Sequence, residues 1–183
     1  MEKKKSKTTL IIVLLSLAVI IAGVTILVIM HFNRNHKVYT REDLEKIVGE
    51  ELREWDGKYS TTPCMQYWLN ENVDSKYKNI EFYVFKDERT AQKVFKEIKS
   101  SWIYSVTDEG DNYIQGWLNG VCDASIEGYY YLSGNMIVYT DIECVSCWGD
   151  AEEMREPTQA DIDAAAKSKR DAEERVELIT STF

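Results

Sequence analysis

The residues best equipped for chemistry are four cysteines, Cys64, Cys122, Cys144 and Cys147, the last two forming a Cys-Val-Ser-Cys motif. Two thiols at that spacing can exchange disulfides when a helix N-terminus or a nearby cation lowers one thiol pKa. Their neighbours are Glu143, Trp148 and Asp150, and carboxylates push a thiol the other way. Structural bridging is therefore the first reading, and a thiol–disulfide oxidoreductase using Cys144 and Cys147 the alternative. Four cysteines permit three pairings, and two bridges are expected if the domain faces an oxidising compartment.

Other chemistry lacks its parts. His31 and His36 are the only histidines, so beyond residue 36 a Ser-His-Asp or Cys-His apparatus has no base, and His-based zinc sites have no ligands. Neither GxxxxGK[ST] nor GxGxxG occurs, so no phosphate cradle is visible. Ser75 and Lys78 match S-x-x-K without the companion motifs of the penicillin-binding enzymes. The loop Asp108 to Asn112 offers oxygen ligands but not the spacing of a calcium cage, and reads as a turn. Many carboxylates are present, yet no pair stands out for glycoside hydrolysis. No catalytic residue, metal or cofactor is assigned.

The remaining candidate is aromatic. Tyr129, Tyr130 and Tyr131 are consecutive, and in a strand neighbouring side chains point to opposite faces. Tyr129 and Tyr131, joined by Tyr139, form the expected binding surface for peptide or sugar if no helix covers that side.

Residues 126 to 143 read as the hairpin that carries these tyrosines, two strands rich in Tyr, Ile and Val around Ser133-Gly134-Asn135. A three-residue loop there pairs Leu132 with Met136, Tyr130 with Val138, and Ile126 with Ile142. Extended outward, that pairing brings Cys122 beside Cys144 and Cys147. Cys122 is thus expected to bridge to one of the two and Cys64 to the other.

Upstream, Thr40 can cap a helix through about residue 54, and residues 57 to 63 read as a loop. The segment 65 to 69 stays open between helix and strand. Ile80, Phe82 and Val84 alternate in a half-buried strand. Asp87 caps a helix to about Trp102, whose Ala91, Val94, Phe95 and Ile98 lie on one face. Residues 107 to 112 read as a turn and 113 to 118 as a strand. After Pro157 an alanine- and charge-rich helix carries only a narrow apolar stripe, Ile162, Ala165, Ala172, Val176 and Ile179, with too few heptads for a coiled coil.

The first thirty residues set the expected location. From Leu10 to Met30 no residue is charged, and a helix of 21 residues matches a hydrocarbon core of about 30 Å. Lys3, Lys4, Lys5 and Lys7 precede the span, so the positive-inside rule places the N-terminus in the cytoplasm. The apolar run is too long for a cleaved leader, which implies a signal anchor in the cell membrane and an extracytoplasmic C-terminal domain.

Residues 38 to 183 carry a net charge of −14, because nearly all the acids lie there. Such a surface repels nucleic acid. Partners expected are the lipid bilayer through the anchor and a protein or cell-wall component.

The resulting fold class is α+β. It comprises a cytoplasmic tail (1–9), a transmembrane helix (10–30), a linker (31–37), a domain (38–156) with a largely antiparallel sheet of about four strands packed by helices, and a charged C-terminal helix (157–183). A strand, then Val84 to Trp102, then further strands behind a lysine-flanked anchor resembles the uncharacterised ectodomains of Gram-positive bacterial membranes. That resemblance is one of layout and implies an envelope location. The function expected is a non-enzymatic binding or sensing domain, or else a subunit of a cell-envelope complex.

Overall fold

The computed structural model describes residues 21–25, 37–102, 106–121, 124–145 and 158–183. It divides into two compact units, Met1–Lys37 and Val38–Phe183. In the first, residues 21–25 are helical. The remainder of the expected membrane span at 10–30 lies outside the described residues.

Among the described residues no helix is long and apolar enough to cross a membrane. Gln159–Thr182 has the length, at roughly 36 Å, but carries charges along its whole course. The expected fold class, with its transmembrane helix and signal anchor, is corrected to a seven-stranded antiparallel sheet with helices.

The second unit runs α1 (Arg41–Val48), β1 (Arg53–Tyr59), β2 (Thr62–Trp68), β3 (Ile80–Val84), α2 (Glu88–Ser101), β4 (Val106–Glu109), β5 (Tyr113–Val121), β6 (Ala124–Ser133), β7 (Met136–Val145) and α3 (Gln159–Thr182). Strand order is β1-β2-β3-β7-β6-β5-β4, antiparallel throughout. The chain makes a three-strand meander, crosses to the far edge through α2, and returns in a four-strand meander whose last strand closes beside β3.

Three strands beyond the expected four have physical causes. β1 reads Arg-Glu-Trp-Asp-Gly-Lys-Tyr, an edge strand without apolar alternation, and it replaces the end of the expected first helix. Gly49, at φ +80, terminates α1 at Val48. β2 resolves the open segment, and β4 is a short exposed edge where a turn was expected.

Helix starts follow their caps. Thr40 and Asp43 form a capping box on α1, Thr158 and Asp161 another on α3, and Asp87 accepts from the Thr90 N–H at 2.7 Å on α2. Beyond α1, the Leu52 N–H and the Arg41 guanidinium hold the Glu45 carboxyl below its usual pKa.

Both sheet faces are packed. α2 lays Ala91, Val94, Phe95 and Ile98 over Cys64, Phe85, Ile114 and Ile137. On the opposite face, α1 and α3 cover Tyr67, Ile80, Phe82, Tyr129, Met136, Val138 and Ile142, with Ile179 of α3 fully buried.

The β6–β7 turn differs from expectation. Ser133 pairs with Met136 and Leu132 with Ile137, so the loop holds two residues, Gly134 and Asn135. Gly134 has φ +56, the positive value that a two-residue hairpin of type II′ needs at its first central position. Asn135 is buried because its amide has partners: it accepts from the Tyr39 N–H at 2.6 Å and donates to the carbonyls of Phe85 at 3.0 Å and Tyr39 at 3.3 Å. Replacing Asn135 with Ala orphans those backbone groups, and urea unfolding is expected to show a loss of about 2–4 kcal/mol.

Candidate functional site

Cross-strand register decides which side chains share a surface. Trp68 on β2 pairs with Glu81 on β3, Glu81 with Tyr139 on β7, and Tyr139 with Tyr130 on β6. These four form a row on the α2 side of the sheet, and Gln66 paired with Tyr83 lies one row along. Trp68, Glu81, Tyr139 and Asp141 lie outside the cluster beneath α2 and are half-buried or exposed.

The row is a connected polar and aromatic network. Glu81 Oε2 accepts from the hydroxyl of Tyr83 and from Gln66 Nε2 at 2.8 Å, and the Tyr139 hydroxyl donates to Asp141. Tyr130 and Tyr139 lie 4.5 Å apart between ring centroids, Tyr59 meets Tyr83 edge-on at 4.9 Å, and Trp102 meets Tyr130 edge-on at 5.4 Å. The Tyr59 hydroxyl donates to that of Tyr130 at 3.2 Å. Four phenols and two carboxylates thus occupy one patch, held by β strands on one side and the end of α2 on the other.

Burial is the leading cause that pushes the phenols of Tyr59, Tyr83, Tyr130 and Tyr139 above the ordinary tyrosine pKa. For Tyr83 and Tyr139 the adjacent carboxylate adds to it, since a phenolate there would lose its hydrogen bond and face a like charge. The patch is chemically a set of neutral rings with carboxylate acceptors, suited to holding a cation against aromatic faces.

The three tyrosines singled out from sequence are divided by the structure. Tyr129 and Tyr131 lie on the α1–α3 face, where Tyr131 pairs with Val138 and Tyr129 is 1 % exposed. Tyr139 stands on the other face. The shift has one cause: a loop of two residues rather than three slips the register by one, and a one-residue slip moves every side chain of a strand to the opposite partner face. Tyr59, Glu81 and Tyr83 were not anticipated as site residues. The alternation at 80–85 carried the signal for the β3 pair, because Glu81 and Tyr83 necessarily share a face.

The expected bridge from Cys64 is corrected. Cys64 is a free, buried thiol on β2. Met65, next to it, aligns through Val84 with Met136, whereas Cys144 lies eight residues farther along β7, at roughly 26 Å. Bridging requires Cα atoms within about 7 Å. Of Cys144 only the backbone is described, paired with Ser125, and Cys122 and Cys147 lie outside the described residues. Burial raises the Cys64 thiol pKa, with Asp56 adding to the effect and a backbone hydrogen bond at Tyr59 opposing it.

Among the described residues no group of His, Cys, Asp and Glu is placed to hold a metal ion. Comparison with protein-family models, with curated proteins and with solved structures finds no match to this chain.

Two outcomes test these assignments. Native alkylation at pH 8 is expected to leave the Cys64 peptide unmodified and urea to expose it, as peptide mass mapping will read. Phenols with raised folded pKa values add stability that is present below the unfolded value of about 10 and is lost as pH rises above it. Absorbance titration should therefore show a set of tyrosines that ionise only together with alkaline unfolding.

Proposed function

We propose that residues 38–183 form a non-enzymatic binding domain whose recognition surface is the row Trp68, Glu81, Tyr139 and Tyr130 with Tyr83 and Asp141 beside it. The observation that carries this reading is the convergence of aromatic rings and carboxylates at the margin of the α2 footprint, where Tyr83 and Tyr130 pack against the cluster beneath the helix and Trp68, Glu81, Tyr139 and Asp141 lie outside it. Its partner is an extended basic segment of another protein. Lysine and arginine stems lie well along tyrosine and tryptophan rings, and their charged heads reach Glu81 and Asp141. The net charge of −14 favours encounter with a basic partner and disfavours nucleic acid.

Fluorescence anisotropy with a lysine- and arginine-rich peptide of about ten residues is the direct test. Binding is expected to weaken with salt, and Tyr139→Ala or Glu81→Gln to reduce affinity roughly two- to thirty-fold. An acidic peptide of the same length should not bind. Equal affinity of wild type and both variants for the basic peptide would sink the assignment.

A further inference from the structure

On the face opposite the aromatic row, α3 runs over the sheet and leaves a cleft of about 810 Å³ between its flank and the β4–β6 end. That volume suits a small organic molecule. We propose that this cleft binds an aliphatic amine cation, held by Glu127.

Glu127 lines the cleft and is only 8 % exposed. Its Oε2 accepts from Gln115 Nε2 at 2.6 Å and from Thr107 Oγ1 at 3.0 Å. Among the described residues Oε1 has no hydrogen-bond or ion-pair partner. Both groups that hold the carboxylate are neutral, and among the described residues no cation pairs with it, so an arriving cation would add an ion pair to hydrogen bonds already in place. An ammonium group supplies the missing donors and the opposite charge together.

Two further features define the ligand. The rim is acidic, with Asp108, Glu173 and Glu177, and its one cation, Lys169, lies 3.9 Å from Glu173. The α3 wall presents Ala165, Ala172 and Val176, which accommodates methylene groups rather than a compact hydrated ion. An elongated amine with more than one ammonium group satisfies floor, wall and rim at once. This site is independent of the aromatic row and stands or falls separately from it.

Calorimetric titration of the full chain with spermidine, and with cadaverine as the shorter diamine, tests the assignment. Saturable binding at one site is expected, with amide signals of Gln115 and Thr107 shifting in NMR spectra. Glu127→Gln should weaken binding about tenfold or more. Ala165→Phe, which fills the mouth and leaves the carboxylate untouched, should do the same and guards against misfolding of the first variant. Glu174→Gln, an exposed change outside the cleft, should bind as wild type does. The proposal is overturned if neither amine binds, if both cleft variants retain wild-type affinity, or if magnesium chloride competes at equal charge, which would mark simple attraction to an acidic surface.

Discussion

The two-residue turn at Gly134 and Asn135 constrains more of this structure than any other feature. It sets the register of β6 on β7, and through β7 the alignment of the two meanders, since β7 is the strand that pairs with β3. Because strand side chains alternate, that single choice determines that Tyr130, Tyr139 and Glu81 share one surface while Tyr129 and Tyr131 go to the other. Gly134 makes the turn sterically accessible, and Asn135 makes it worth keeping. A buried amide with three partners ties Tyr39, two residues before α1, to Phe85 just after β3 and to the hairpin tip.

The same corner gathers the last residue of the described chain. The Phe183 carbonyl accepts from Ser133 Oγ at 2.7 Å and from the Tyr39 hydroxyl at 3.0 Å, and its ring packs against Tyr39, Tyr77 and Phe82. α3 is therefore fastened at its C-terminal end, where Ile179 is buried, and further along by Arg175 on the Lys78 carbonyl at 3.0 Å. Its earlier turns are mostly exposed, with Ile162 at 45 %. A helix held firmly at one end and lightly along its flank leaves open grooves beside it, and the cleft over Glu127 is the larger consequence.

The two faces of the sheet differ because their helices differ. α2 has a broad apolar face, and its footprint is built from aliphatic residues with Phe85 and Phe95, leaving the phenol and carboxylate row at its margin. α3 has a narrow stripe of small residues and bridges the other face without filling it, so polar groups such as Glu127 and Gln115 keep their place beneath it. Both candidate sites lie where helix coverage stops, the places on a packed sheet where polar side chains can persist without burial in apolar contacts.

Local signals in the sequence determined what depends on near neighbours. The Asp87 and Thr158 caps, the apolar face of α2, the alternation of β3 and the existence of the β6–β7 hairpin are all set by residues within a few positions of one another, so their free energies can be read without the fold. Charge also needs no coordinates: the strong acidity beyond residue 37 follows from composition. Tertiary structure alone decided the rest. The edge strands β1 and β4 carry no periodic pattern and exist because a neighbour offers them a ladder; the fate of Cys64 depends on a 26 Å offset that no local spacing records. The grouping of Tyr130 with Tyr139 turned on one residue of loop length, which the long-range hydrogen bonds of the Asn135 side chain support and which local spacing does not record.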